Sequence, residues 1–183
     1  MFKKYWKFFV IFWSVLLVGI IGVFVFFWLI SAGKLGFMPT FEELENPNNR
    51  FASEVYFADG PIMNRYFEKE NRKYIEYREI PQSVIDALIA TEDVRFYDHS
   101  GIDVRGLFRV AKGLLTANTS AGGGSTISQQ LAKMLFPRES DLNVFELVIR
   151  KFREWVIAVR LEKSYTKEEI LTMYLNKYDF GGR

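Results

Sequence analysis

Glu92-Asp93-Val94-Arg95-Phe96-Tyr97-Asp98-His99-Ser100-Gly101 and, further on, Gly123-Gly124-Ser125-Thr126-Ile127-Ser128-Gln129-Gln130-Leu131-Ala132-Lys133 are the two runs that decide how this chain is read. The acid that opens the first run, Glu92, closes a helical pattern. Pro81 suits a first helical position, and Val84, Ile85, Leu88 and Ile89 recur at helical spacing. Glu92 therefore emerges at a helix end rather than in the middle of a face. In the second run, consecutive glycines let the backbone approach a ligand closely. Thr126 with Gln129 three residues on has the capping-box pattern, which predicts a helix to about Phe136, before Pro137. A helix start behind a glycine loop offers unpaired N–H groups to an anion. The small-residue loop Thr116 to Gly124 reads either as a flexible linker or as a flap that orders on binding.

Further helices flank these runs. Val104, Leu107, Phe108, Ala111 and Leu115 form one apolar stripe, and Arg105, Arg109 and Lys112 lie on another face of the same helix. Those cations read as a solvated surface, or as a basic face meeting anionic headgroups or a pyrophosphate. Phe145, Val148, Ile149, Phe152, Val156 and Val159 predict a long amphipathic helix. Arg150 and Glu154 share a face of it, with Lys151 one step round; the plain reading is a surface ion pair. Thr166 with Glu169 repeats the capping-box pattern and opens a last helix with Ile170, Leu171, Tyr174 and Leu175 facing inward. On the other side, Glu54 to Ala58 and Ile62 to Phe67 flank Asp59-Gly60-Pro61 and predict a hairpin. Residues around Tyr74 to Tyr77 could add a short strand. The expectation is a mainly α domain of about five helices over 80–183, a small β element over 53–79, and no internal repeat.

The amino-terminal end is of another kind. Phe8 to Ile30 is almost unbroken hydrocarbon and aromatic, interrupted by Ser14, Gly19 and Gly22, and is long enough to cross a bilayer core. A secretory core is shorter, and Ser31-Ala32-Gly33, the nearest small-residue site, lies behind too long an apolar run. Lys3, Lys4 and Lys7 precede the span and only Lys34 follows closely, which places residues 1–7 in the cytoplasm. Residues 8–30 then form a transmembrane signal-anchor and 31–52 an exposed linker rich in Asn, Glu and Pro toward its end. A net charge of +2 gives no footprint for nucleic acid. The absence of cysteine excludes disulfides and thiolate metal sites, and the single histidine, His99, excludes a multi-histidine metal site.

Four runs in one order carry a resemblance. The two quoted above are joined by Arg150-Lys151-Phe152-Arg153-Glu154 and by Lys167-Glu168-Glu169-Ile170-Leu171-Thr172-Met173-Tyr174-Leu175-Asn176. Together they resemble the first four signatures of the peptidoglycan glycosyltransferases, glycosyltransferase family 51, found alone or as the amino-terminal half of class A penicillin-binding proteins. The resemblance covers about residues 50 to 183 and implies a lysozyme-like helical glycosyltransferase domain behind a membrane anchor. It also implies a chain that stops short of the family's fifth motif, so that Gly181-Gly182-Arg183 would end a piece of a longer protein lacking part of its helical core. Thr172 stands where the fourth signature usually has glutamate.

The resemblance gives each residue a role. Glu92 would be the base that deprotonates the acceptor hydroxyl, a task suited to a glutamate in a partly desolvated cleft. Glu154 would be the second catalytic carboxylate, orienting the acceptor, holding a divalent ion, or stabilising charge at the reacting carbon. Lys133, Arg150 and Lys151 would meet the departing pyrophosphate, Lys133 first among them and Arg138 a weaker candidate. Gly124, Ser125, Thr126, Gln129 and Gln130 would shape the sugar and phosphate site, and Asp93, Phe96 and His99 would contribute from the first motif. The implied substrates are lipid II and the growing glycan strand at the outer face of a bacterial inner membrane, with other cell-wall synthesis or division proteins as possible partners. No cofactor is required; a divalent cation (Mg or Mn) at the diphosphate is left open. Two other classes stay in view: a lysozyme-like muramidase using a lone glutamate, and an inactive membrane-anchored scaffold.

Overall fold

A computed structural model describes residues 2–40, 43–44, 53–66, 74–116, 123–136 and 143–178. Of the expected linker 31–52, residues 41–42 and 45–52 lie outside these residues. So do Phe67, the middle of the small-residue loop, Arg138 and the last five positions.

The chain opens with helix α1, Phe2–Ser31. Its Tyr5–Ser31 portion has a mean hydropathy of 2.8 over its most apolar window and is long and apolar enough to cross a membrane. Gly33 ends it. With φ +70 it takes the left-handed position that a side chain resists, and two reversed bonds close the turn, Gly33 N–H to Ile30 O (2.9 Å) and Lys34 N–H to Leu29 O (3.0 Å). An antiparallel hairpin follows, β1 (Ser53–Tyr56) and β2 (Ile62–Tyr66), turning at Asp59-Gly60-Pro61 as its sequence predicts. Its register shifts between Val55 and Tyr56.

The third strand near Tyr74 does not form. Ile75 satisfies its backbone on a side chain instead, donating to Asn176 Oδ1 (2.9 Å) and accepting from Asn176 Nδ2 (2.8 Å). A 3-10 turn over Tyr77–Glu79 comes next. One asparagine amide does the work of a neighbouring strand.

Five helices then build the domain: α2 (Gln82–Glu92), α3 (Val104–Leu115), α4 (Ile127–Leu135), α5 (Val144–Ser164) and α6 (Lys167–Lys177). Pro81 sits at the N-cap of α2 rather than inside it. Three starts are capped by side chains: Thr126 for α4, Asn143 for α5 and Thr166 for α6, the last two as complete capping boxes with Glu146 and Glu169. The core joins Ile85 of α2 to Ile127 and Leu131 of α4, Ile157 and Leu161 of α5, and Ile170, Leu171 and Tyr174 of α6. Helix α4 is its centre, packed on both α5 and α6.

Helix α3 departs from the usual reading of an apolar stripe. Val104, Phe108 and Leu115 are exposed, whereas Gly106 and Gly113, seven apart, are buried. The helix turns its glycine face inward, where a backbone can come close, and presents its apolar stripe outward.

Helix α1 is attached to α5. The rings of Phe26 and Phe27 meet Phe152 edge-on at 5.3 and 5.6 Å. Arg160 donates to the α1 end at Ser31 O (2.9 Å) and to Pro39 O (3.0 Å).

Candidate active site

The first motif folds as a loop pressed onto the start of α4. Asp93, just past the α2 end, is 6% exposed and accepts from the Ile127 N–H (3.1 Å) and from His99 Nε2 (3.0 Å). The other ring nitrogen, His99 Nδ1, accepts from the Gly101 N–H (3.2 Å), so the ring proton sits on Nε2. Gly101 O accepts from Thr126 Oγ1 (2.8 Å) and Gln129 Nε2 (3.1 Å). The loop reaches this close because Gly101 has φ +92 and no side chain; a Cβ there would lie 2.8 Å from the Ala158 carbonyl carbon of α5.

This arrangement corrects one expectation. The anion at the α4 start is the protein's own: Asp93 takes the Ile127 amide and Thr126 takes that of Gln129 (3.2 Å). Asp93, Thr126 and Gln129 are buried with their bonds directed into the protein, and Phe96 is fully buried. Phe96 and Gln129 hold the site from behind, whereas Asp93 and Thr126 also border the cleft that Glu92 lines, and His99 joins them through Asp93.

A second layer supports the loop. Lys167 of α6 lies 4.2 Å over the Phe96 ring, donates to His99 O (2.7 Å), and pairs with Glu162 of α5 at 2.8 Å. Glu162 also accepts from the Ser128 hydroxyl. Burying this pair is compensated by hydrogen bonds to both partners. Glu162 did not stand out in the sequence, where it is one charge among many, and Lys167 did so only as the first residue of the fourth run.

Glu92 points the other way. It is exposed at the last position of α2, and Gln130 Nε2 donates to its Oε2 at 2.7 Å. Gln130 Oε1 in turn accepts from the Tyr174 hydroxyl (2.9 Å). The partly desolvated setting expected for Glu92 is thus not built by the described residues alone. Glu92 lines a cleft of about 140 Å³ with Arg95, Asp103, Arg109 and the stretch Gly123 to Thr126. Arg95 grips Asp103 with two nitrogens, Nε donating at 3.1 Å. That bond is the main reason the Asp103 carboxyl lies below its ordinary pKa, against a smaller opposing effect of burial, and the Arg95 guanidinium is raised correspondingly. Arg109 donates to Gly123 O (3.2 Å), tying α3 to the glycine run.

Ser125 joins this cleft to the third motif. Lys151 Nζ donates to Ser125 Oγ (2.7 Å) and to Glu154 Oε2 (3.0 Å), and Glu154 is buried. The expected pairing of Arg150 with Glu154 gives way to Lys151, three residues before it. Arg150 is half-buried and Lys133 exposed; neither lines the cleft, and neither has an ion-pair partner among the described residues. Thr172 is buried and donates to Glu168 O in its own helix (2.8 Å). No three His, Cys, Asp or Glu side chains converge among the described residues.

A helical domain with an exposed glutamate on a glycine-rimmed cleft, and a lysine–glutamate pair joined to that cleft through Ser125, has the build of a lysozyme-like transglycosylase. The family model described as Transglycosylase matches residues 59–183, and the chain belongs to that family. It is similar to penicillin-binding protein 1A of Escherichia coli K12, 38% identical over 146 residues that cover 80% of this chain and 16% of that protein. It is also similar to penicillin-binding protein 1A of Haemophilus influenzae, 39% identical over 155 residues, 85% of this chain and 17% of that protein. Penicillin-binding protein 1F of Bacillus subtilis is 44% identical over 112 residues, 61% of this chain and 15% of that protein. The chain spans less than a fifth of the length of these relatives.

Proposed function

We propose that this chain carries the glycan-polymerising unit of a membrane-anchored peptidoglycan glycosyltransferase acting on lipid II. The observation that carries the reading is the cleft in which Glu92 and Ser125 meet, with the Lys151–Glu154 pair bonded to Ser125. Glu92, oriented by Gln130, takes the proton from the 4-hydroxyl of the acceptor GlcNAc. That oxygen attacks C1 of the donor MurNAc; the bond from C1 to the pyrophosphate oxygen breaks and undecaprenyl diphosphate leaves. Configuration inverts to a β-1,4 link. Negative charge grows on the leaving diphosphate, and Lys151, bonded to Ser125 at the cleft, is the cation placed to meet it, with Arg150 and Lys133 outside the cleft as the further cations the resemblance implies. Glu92 is exposed in the folded chain, so its desolvation comes from the sugars that cover it.

The setting is the outer face of the inner membrane, with α1 spanning and its lysine-bearing end in the cytoplasm. Phe145 and Val148 are exposed on α5 along the face that continues to Phe152, where α1 packs. That continuity suits a domain resting on the bilayer that holds its lipid substrate.

Incubating the full-length protein with labelled lipid II tests the reading. Polymer is expected from the native protein, with Glu92→Gln slowing turnover by about 10²- to 10⁴-fold at little cost in lipid II binding. Cleavage of finished glycan instead would move the assignment to a hydrolase. Unchanged polymerisation by the variant would remove Glu92 from the role of base.

A further inference from the structure

Glu92 is the terminal residue of its helix, is exposed, and has one side-chain hydrogen bond among the described residues, that from Gln130. Gln130 is itself only half-buried and has three side-chain torsions to fix. Left alone, such a side chain loses about 1 to 2 kcal/mol of rotamer freedom when it is held in one place. Its far end is held. Tyr174 of α6 is 1% exposed, its ring packed in the core and stacked on Tyr178 at 5.3 Å, and its hydroxyl reaches out to Gln130 Oε1.

We propose that Tyr174 is a positioning residue for the base, acting through Gln130: the hydroxyl anchors one end of the amide so that the other end meets Glu92. This rests on the reading of Glu92 as base. A core phenylalanine would pack as well as the Tyr174 ring, whereas a buried hydroxyl without a partner is costly. The hydroxyl is therefore explained by the bond it makes. Direction is set by charge. Ionised Glu92 accepts only, so the Gln130 NH2 must face it and Oε1 must face Tyr174. Burial, and secondarily the charge of Glu92, hold the tyrosine above its ordinary pKa, so it remains a neutral donor. The chain of donors runs from the core of α6 through α4 to the end of α2. It delivers a carboxylate already aimed, before substrate arrives.

The test is a double-mutant cycle in the full-length protein, reading kcat and KM for lipid II with Tyr174→Phe, Gln130→Met and the pair. Tyr174→Phe should lower kcat about three- to tenfold, the worth of one hydrogen bond, with KM unchanged. Gln130→Met should lower it further, and the double variant should be no worse than Gln130→Met alone. Losses that multiply, a Tyr174→Phe enzyme with native kcat, or a change confined to KM would each overturn the proposal. Should Tyr174→Phe fold poorly, Gln130→Met alone still decides, since native kcat without the amide leaves Tyr174 nothing to act through. Glu92→Gln run alongside separates the two ideas. An active Glu92→Gln enzyme sinks the base itself, while an inactive one beside multiplying losses sinks only the role of Tyr174.

Discussion

At the scale of single residues, Gly101 and Asp103 show how much of the site depends on partners distant in sequence. Gly101→Ala would combine a left-handed backbone with a contact on α5, and should destabilise by about 3 kcal/mol, seen as a lowered thermal midpoint in detergent. Asp103 makes a pH prediction. Its carboxyl is depressed by Arg95, so its stabilisation is present above the unfolded value of about 3.9 and is lost as pH falls through the lower folded value. Asp103→Asn should therefore melt lower at neutral pH and lose less than the native protein between about pH 4 and 2. The sequence pointed to Glu92 and Glu154 by resemblance. It could not point to Arg95 with Asp103, or to Glu162 with Lys167, because a charge seen in a string carries no sign of what it will face. Phe96 and Gln129 were visible as motif members, yet membership does not distinguish a residue that lines the cleft from one that supports the residue that does.

Helices were the most legible level, and their caps explain why. Thr126 and Thr166 each announce a helix three residues before a Gln or Glu, and both cap as their spacing predicts. The two should differ in worth. Thr166→Ala should cost about 1 kcal/mol, an ordinary N-cap. Thr126→Ala should cost about 2 kcal/mol, because its hydroxyl also donates to Gly101 O; denaturant midpoints of the two variants test the order. Where local signals failed, something outside the segment had intervened. Ile75 sits in a β-prone run, but the amide of Asn176 met its backbone first. The apolar stripe of α3 predicts an inward face only if apolar surface must be buried in protein. Glycines on the opposite face pack closer and take the buried side, leaving the stripe exposed.

For the whole molecule, the contact between α1 and α5 matters most. Phe152 meets Phe26 and Phe27, and Arg160 holds Ser31 and Pro39, on the same helix that carries Lys151 and Glu154. Removing residues 1–30 should lower the thermal midpoint and slow turnover on lipid II in liposomes; unchanged values for both would show the contact to be incidental. A helix of 30 residues is about 45 Å long, against a hydrocarbon core of about 30 Å, so α1, on the proposal that it spans the membrane, would lean or protrude. On that proposal, the end of α1 fastened to α5 would make it a lever whose angle is set by the lipid around it. Thickening the bilayer would stand the lever up and swing the cleft with it. The thickness of the membrane would then become an input to the proposed sugar transfer, with turnover expected to change with acyl-chain length and to cease changing once Phe152→Ala has loosened the pivot.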